Sequence, residues 1–599
     1  MLRSATWIRI ASFTTIIGGS AVAQTTTRAS VSSTGEQGIG VCRNPMLSHS
    51  GRFVSFETWG SGLVPGDTNA TTDVFVHDRE TGTTERISVT TTGSEVPSPS
   101  VDSAISGDGR YVGFSNSYPM AWDDTNNAGD IFVRDRVTNT TERVSLSSAG
   151  AQGNDFSYGP SSLSADGRFV AFTSHATNLV AGDTNSLGDV FVRDRQAGTT
   201  ERVSISSTGA QADSSSIDPI ISGDGRYVAF KSWASNLVAG DTNADEDVFV
   251  HDRHSGATER VSVDSFGMQI GFPSYLTSLS SDGRFVAFLS LDANVVPGDN
   301  NGSLDVFVRD RIGQATERAS LDSSGSEGNS DSFHAALSAD GRYVTFYSRA
   351  SNFSPNDSNG VGDIFVRDRL FHLTMIQSID STGVQANGDN GTLPSPSVSA
   401  DGRFVAFTSV ASNLVPGDTN NQSDVFLHDR GPSPPFNVSS FCFGDGSGVA
   451  CPCGNTGQVG RGCENSIATG GAVLAGNGEP LLSADTLILT ASGERPTSVS
   501  VFWQGGSGIA PRPFGDGVGC MGPPLKRLYA RNAVGGVVSA PQGSDLSISA
   551  RSAVVGDPII PGTPRIYHTF YRDGGAAFCP EPAGSSFNVT SGLRVVWGP

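Results

Sequence analysis

The chain has 599 residues, of which 17% are charged, with 73 Gly and 30 Pro. Its formal net charge is −21 and its two lysines are Lys231 and Lys526, which excludes nucleic acid as the main partner, because phosphate binding needs clustered Lys and Arg. Abundant Ser and Thr suit strands and turns, and the length allows more than one domain.

Residues 1–23 read as a signal peptide. Arg3 and Arg9 form a basic start, Ile10–Ile17 a mostly apolar run, and Ala21-Val22-Ala23 a small-x-small cleavage site before Gln24. The run is too short and polar for a comfortable bilayer span, and no later segment reaches about eighteen apolar residues. A soluble monomer without a transmembrane segment is expected, either secreted or in the periplasm or at the cell surface.

A repeat follows. Its Gly-Arg falls at Arg52, Arg110, Arg168, Arg226, Arg284, Arg342 and Arg403, with spacings of 58, 58, 58, 58, 58 and 61. A period of this size marks a repeat architecture. In the third copy Pro160–Ser164 leads into the Asp166-Gly167 turn. Arg168–Ser174, Asp189–Asp194 and Thr199–Ser206 then read as strands. Hydrophobic residues on both faces of the middle strands require cover on both faces. Four strands in each of seven units predict an all-β fold, a seven-bladed β-propeller over residues 24–430. Thr25–Gly35 (TTTRASVSSTG) matches the fourth strand of other units, and the seventh unit lacks its own. The segment 25–35 is therefore expected to close the ring, which removes two exposed edges.

The SxDGRxVAF strand entry and the DVFVRD strand resemble those of TolB-like and WD-repeat-like propellers of bacterial envelope proteins, over about residues 25–430. The resemblance implies an extracytoplasmic binding platform and carries over no catalytic residues.

Residues present in every unit are first suspected of structural work. The Arg after Gly and the Asp of RDR or HDR are expected to pair. The residue before that Asp is Arg134, Arg193, Arg309 or Arg367 in four copies and His77, His251 or His428 in three. That exchange reads as a basic contact and not as a catalytic histidine. The most specific pattern is D-x-N-x-x-x-D: Asp67/Asn69/Asp73, Asp124/Asn126/Asp130, Asp183/Asn185/Asp189, Asp241/Asn243/Asp247, Asp299/Asn301/Asp305, Asp357/Asn359/Asp363 and Asp418/Asn420/Asp424. Two readings stand. The oxygens can converge on Ca²⁺ as cofactor, or the side chains can make turns with their own backbone.

Residues that break the repeat are the candidates for specificity: Trp59, Trp122, Lys231, Trp233 and, as ligand-binding residues near the channel mouth, Tyr158, Tyr275 and His334. No paired carboxylates stand out from the repeating ones, so a glycosidase reading lacks its acid and base.

Residues 431–440 read as a Pro-rich linker and 441–599 as a β-sandwich-like domain. Strands are expected at Thr486–Thr490, Ser498–Trp503, Asp545–Ala550 and Leu593–Trp597. Its Cys442, Cys451, Cys453, Cys463, Cys520 and Cys579 form an even set that reads as disulfides, with 15 possible pairings, and Cys42 is left over. FCFGDGSG, CPCGN and FNVTSGLRVVW loosely resemble Cys-rich C-terminal modules of secreted bacterial proteins. No G-x-S-x-G elbow marks an α/β-hydrolase. The expectation is a non-enzymatic scaffold that binds a protein or glycan. The alternative is an extracellular propeller hydrolase or lyase acting on polysaccharide.

Overall fold

The computed structural model describes residues 24–431, save 119, 121–123, 355–356, 371 and 390–394. From 438 onward it describes the chain save 442–450, 452–455, 459–460, 464, 467–468, 478–479, 481, 483–484, 515–516, 561–563, 573–586 and 598–599. The expected signal peptide and Trp122 lie outside the described residues. The chain divides into two compact units after Gly431.

The first unit holds seven four-stranded antiparallel sheets. In sheet 3 the strands are Ser157–Leu163, Phe169–Ser174, Asp189–Asp194 and Thr199–Arg202, from first to fourth. The other sheets follow the same order: sheet 1 over 42–86, sheet 2 over 100–143, sheet 4 over 216–260, sheet 5 over 274–318, and sheet 6 over 332–376. Sheet 7 combines three strands within 397–429 with Thr25–Arg28, which pairs antiparallel with Asp424–Asp429 in the place of a fourth strand.

Both faces of the middle strands are covered, as their apolar pattern requires. Val190, Phe191 and Val192 are essentially inaccessible, and Phe191 stacks on Phe172 at 5.9 Å. Each such buried Phe or Val contributes about 1.5–3 kcal/mol. The Asp-Gly turn shows why its glycine is needed. Gly167 has φ +67°, and a Cβ there would meet the Tyr111 ring of sheet 2 at 2.3 Å.

Main-chain hydrogen bonds tie these turns into a closed cycle. His49 N–H donates to Gly107, Gly107 to Ala165, Ala165 to Gly223, Gly223 to Ser281, Ser281 to Ala339, Ala339 to Ala400, and Ala400 back to His49, at 2.8–3.1 Å. A second cycle is charged. The last Arg of each RDR or HDR lies over an aromatic ring of the preceding sheet, from Arg136 over Phe53 (4.2 Å) round to Arg79 over Phe404 (4.0 Å). These sheets around one axis form a β-propeller, with the first strands lining the channel. The cycle from His49 to Ala400 rings one end of that channel around a cavity of about 120 Å³. The opposite end, where second strands finish and third strands begin, is termed the mouth.

Among its described residues the second unit has a six-stranded and a three-stranded sheet. The long strands Val499–Phe514 and Gly517–Asn532 pair with each other, and Pro564–Arg572 joins the first of them. Phe502, Tyr567, Leu593 and Trp597 are buried together in its core. Val438–Phe441 is already a strand of the larger sheet, so that sheet begins inside the stretch expected as linker. The strand expected at Asp545–Ala550 is instead a turn leading into the helix Ile548–Val554. Ser547 caps it by accepting the Ala550 N–H, and Ala550, Arg551 and Ala553 favour helix.

Candidate functional site

The repeated residues cement the ring. Each Gly-Arg guanidinium makes a paired hydrogen bond to the Asp of RDR or HDR, from Arg52–Asp78 to Arg403–Asp429, with Nη2–Oδ2 at 2.6–2.8 Å. The Arg/His position differs from expectation. Arg134, Arg193, Arg309 and Arg367 approach the hydroxyl of a fourth-strand Thr at 3.0–3.1 Å. His77, His251 and His428 approach the same hydroxyl at 2.8–2.9 Å. Burial lowers the pKa of all three imidazoles, to about 4 for His428. The shared property is therefore an N–H donor and not a positive charge. The Thr hydroxyl in turn donates to a carbonyl of the preceding sheet, as Thr84 does to Val31.

The Asp–Asn loops are closed by their own side chains, as the turn reading describes. Asn69, Asn126, Asn185, Asn243, Asn301, Asn359 and Asn420 use their side-chain amides on backbone. Each Oδ1 accepts the N–H two residues on, from Asn69 to Thr71 round to Asn420 to Gln422, at 2.9–3.3 Å. Each Nδ2 donates to a carbonyl about 27 residues further round the ring, as Asn126 does to Gly153, at 2.8–3.1 Å. The Asn oxygens are thus held by turn N–H groups, the geometry of a side-chain-stabilised turn.

The Asp residues are matched in the same way. A Ser hydroxyl donates to each strand Asp, namely Asp73, Asp130, Asp189, Asp247, Asp305, Asp363 and Asp424, at 2.5–2.6 Å. In six loops a guanidinium sits between the strand Asp and the loop Asp, at 3.0–3.6 Å. Arg86 reaches Asp67 and Asp73, Arg143 reaches Asp124 and Asp130, and Arg202 reaches Asp183 and Asp189. Arg260 reaches Asp241 and Asp247, Arg318 reaches Asp299 and Asp305, and Arg28 reaches Asp418 and Asp424. A cation is already supplied by the chain where Ca²⁺ was expected. The group Asp67, Asp73 and Glu95 has the spacing of a metal site, but Arg86 Nη1 lies 3.3, 3.5 and 2.7 Å from its three carboxylates. The Arg143 side chain is 3% exposed and its partners 2% and 0%. Arg143→Leu strands two buried charges, so a loss of about 3 kcal/mol is expected in denaturant unfolding.

Sheet 6 departs from this pattern. Ile376 stands where the other sheets have Arg, and Phe353 where most have Leu. Gln385 Nε2 donates to Asp357 at 3.0 Å and to Asp363 at 2.7 Å. The buried Asp363 carboxyl is pushed up to about 6, first by burial and also by Asp357. A raised folded pKa gives stability below the unfolded value of about 4 that is lost as pH rises through 6. The double variant Ile376→Arg/Phe353→Leu restores the sister sequence. It is expected to raise the melting midpoint, with the larger gain above pH 6 than at pH 4.

The mouth gathers residues that do not repeat. First strands carry a bulge at Asn44, Asp102, Asp218 and His334, all with positive φ. Second strands end beside them with Glu57, Ser115, Thr173 and Lys231. Asp102 accepts from the Ser115 hydroxyl at 3.1 Å. Burial pushes its carboxyl up, and the Asp218 charge adds to that push against Ser115 and Arg43. Asp218 pairs with the Lys231 ammonium at 2.7 Å, and Lys231 reaches Glu246 at 3.2 Å. Burial alone would lower the Lys231 pKa, but Asp218 and Glu246 outweigh it and raise it. Burial also raises the carboxyls of Glu57 and Glu246.

Both Asp bulges are pinned from the preceding sheet. Glu57, fully buried, accepts from Arg43 at 3.0 Å, from Asn44 at 3.2 Å and from the N–H of Ser103, next to Asp102, at 3.2 Å. Thr173 Oγ1 accepts the N–H of Asp218 at 3.2 Å. Two carboxyl groups of unlike environment are thus set on fixed backbone at one end of the sheets, near enough for the Asp218 charge to act on Asp102. The expectation that no paired carboxylates stand apart from the repeat is corrected by this arrangement.

Tyr158, Tyr275 and His334 lie on first strands near the same end. Tyr158 stacks with His175 (5.7 Å) and packs against Phe156 (5.3 Å), and the Asp218 charge helps raise its pKa after burial. Tyr275 is half-exposed. His334 lies beside Phe333, its pKa lowered by burial. No contact joins these three residues to one another among the described residues. Cys451 and Cys463 form a disulfide, and Cys520 is disulfide-bonded. Cys442, Cys453 and Cys579 lie outside the described residues. Cys42 is free and buried, and burial pushes its thiol up to about 12. That thiol is inert at neutral pH. No helix among the described residues is long and apolar enough to cross a membrane.

No family model and no curated protein matches this chain. Solved structures of similar fold include an oligogalacturonate lyase in complex with manganese, at 12% identity and TM-score 0.41, covering 68% of this chain and 96% of that one. TolB from Acinetobacter baumannii matches at 15% identity and TM-score 0.32, covering 67% and 82%. Acylaminoacyl peptidase from Pyrococcus horikoshii matches at 11% identity and TM-score 0.40, covering 67% of this chain and 55% of that one. These likenesses concern the fold and transfer no residue, ligand or reaction. They do include enzymes, so the expectation of a non-enzymatic scaffold is corrected.

Proposed function

We propose that this chain hydrolyses a polysaccharide at the channel mouth of a seven-bladed propeller. The convergence of Asp102 and Asp218 carries this reading. Glycoside hydrolysis needs one carboxyl that holds a proton and one carboxylate that does not. Asp102, with its raised pKa, gives its proton to the leaving glycosidic oxygen as the bond to the anomeric carbon breaks. Water forms the new bond to that carbon and gives its proton to Asp218. Lys231 holds Asp218 in place. Its raised pKa keeps it protonated, which disfavours elimination with Lys231 as base. Phe156, Tyr158 and His175 offer a clustered aromatic surface for a sugar ring, and Tyr275 and His334 are assigned to ligand contacts.

The remaining assignments follow from the same frame. Residues 1–23 direct export to the periplasm or outside the cell, and the protein acts as a monomer. The segment 25–35 closes the ring. The Asp–Asn loops with a guanidinium are structural turns that carry their own cation, so Ca²⁺ is not required there. Residues 441–599 form a disulfide-stapled sandwich that anchors or adheres. Release of reducing ends from a panel of polysaccharides tests the reaction, with the carboxylate variants described below as controls.

A further inference from the structure

The mouth offers more aromatic surface than one sugar ring can use. Trp59 follows the second strand of sheet 1 and is 54% exposed. Trp233 holds the same position in sheet 4 and is 39% exposed. The equivalent residues elsewhere are Ser117, His175, Leu291, Arg349 and Val410. An exposed indole costs solubility and packs no core here, and an aromatic face suits the apolar face of a pyranose.

Their placement is informative. Sheets 1 and 4 stand three steps apart in a ring of seven, so the two indoles stand on opposite sides of the mouth. Trp59 comes two residues after Glu57 of the Arg43–Glu57 pair, and Trp233 two residues after Lys231 of the Asp218–Lys231–Glu246 group. On the sheets flanking Trp233 lie the Phe156–His175 stack of sheet 3, at 4.5 Å, and the half-exposed Tyr275 of sheet 5. Aromatic surface therefore flanks the carboxylates on both sides.

Charge narrows the polymer. The mouth cluster holds four carboxyl groups, Glu57, Asp102, Asp218 and Glu246, against Arg43 and Lys231, while Arg349, at the Trp59 position of sheet 6, faces the charges of Asp389 and Asp331. Arg43 and Lys231 are already paired with acids of the protein, and the whole chain carries −21. A polyanion meets repulsion at such an opening, and a neutral chain does not.

We propose, resting on the hydrolase reading, that the substrate is a neutral polysaccharide laid across the mouth from Trp59 to Trp233 and cut at an internal bond. Sugar subsites lie on both sides of the cleaved bond. Chains too short to reach both indoles are poor substrates.

The test uses the full chain carrying Asp218→Asn, so that the polymer stays intact. Its retardation is measured in native gels containing soluble starch, hydroxyethyl cellulose, galactomannan, polygalacturonate or casein. A neutral polysaccharide is expected to retard it, and Trp59→Ala and Trp233→Ala are each expected to weaken that retardation about tenfold. Retardation by polygalacturonate or casein alone overturns the proposal, as does a neutral polymer whose retardation ignores both substitutions. Tryptophan-dependent retardation without reducing-end release by the wild type upholds the chain-binding surface and overturns the catalytic reading. Cleavage that releases terminal sugars only, with oligomers as good as polymers, keeps the reaction and overturns the internal cut. Both Trp side chains are exposed, so folding of the variants is checked by an unchanged melting midpoint.

Discussion

Removal of Thr25–Gly38 is expected to lower the melting midpoint of the propeller by about 10 °C or more and to broaden its transition. This segment takes the place of a fourth strand, with Thr27 where sheets 1–5 have Glu. Thr25–Arg28 pairs with Asp424–Asp429, and Arg28 sits between Asp418 and Asp424. Ser30 donates to Asp424 at 2.6 Å, Gln37 reaches both Asp418 and Asp424 at 2.8 Å, and Thr26 meets His428. Val31 also receives the Thr84 hydroxyl of sheet 1, and Gly38 receives the Asn420 amide, so the segment joins the two ends of the ring. Its loss leaves Asp424, 0% exposed, without its guanidinium and its Ser donor. It also opens an edge on the third strand of sheet 7. A synthetic peptide covering 25–38, added in trans, is expected to recover part of the lost midpoint by strand addition. An unchanged midpoint after deletion contradicts the closure.

The second large effect is catalytic. Asp102→Asn and Asp218→Asn are each expected to lower kcat for polysaccharide hydrolysis by about 10³-fold, the scale of a lost general acid or base. KM should stay within about threefold, since neither change removes aromatic surface. The pH profile separates the two roles. Asp102 acts as the protonated acid, so activity falls as pH rises through its raised pKa. Ser115 donates to the ionised form of Asp102 and so holds that pKa down. Ser115→Ala is expected to move the alkaline limb to higher pH, and an unmoved limb contradicts the assignment of Asp102.

The architecture was largely legible in the sequence. A 58-residue period with DGR and DVFVRD marks four strands per unit, and the Thr25–Gly35 match points to the strand beside Asp424–Asp429. The Asp–Asn loop was legible as a pattern, with the side-chain turn as one of its two readings, but its partners were not. Its neutralising guanidinium comes from the TER segment about 13 residues further on, and its Asn amide bonds to backbone about 27 residues on. Both partners are too far away for local spacing to reveal them. The absence of Arg at Ile376 becomes meaningful only beside the six loops that have it.

The mouth was hardest to read. Asp102 and Asp218, the residues proposed for catalysis, do not stand out in the sequence because acids in a repeat-rich chain read as structural, and because each stands at a bulge where strand alternation fails. A signal existed in the columns that vary between copies. Asn44, Asp102, Gly159, Asp218 and His334 form one such column, and Glu57, Ser115, Thr173, Lys231 and Tyr347 another. Tyr158 was legible as an exception but its partners Phe156 and His175 were not, since they come from the flanks of two different strands.

The most direct measurement is reducing-end release from soluble starch, hydroxyethyl cellulose and galactomannan by the wild-type chain and by Asp218→Asn, at equal folded concentration. The expected result is steady release from at least one polymer by the wild type and about a thousandfold less by the variant. Release from none of them, or equal release by the variant, contradicts hydrolysis at the channel mouth.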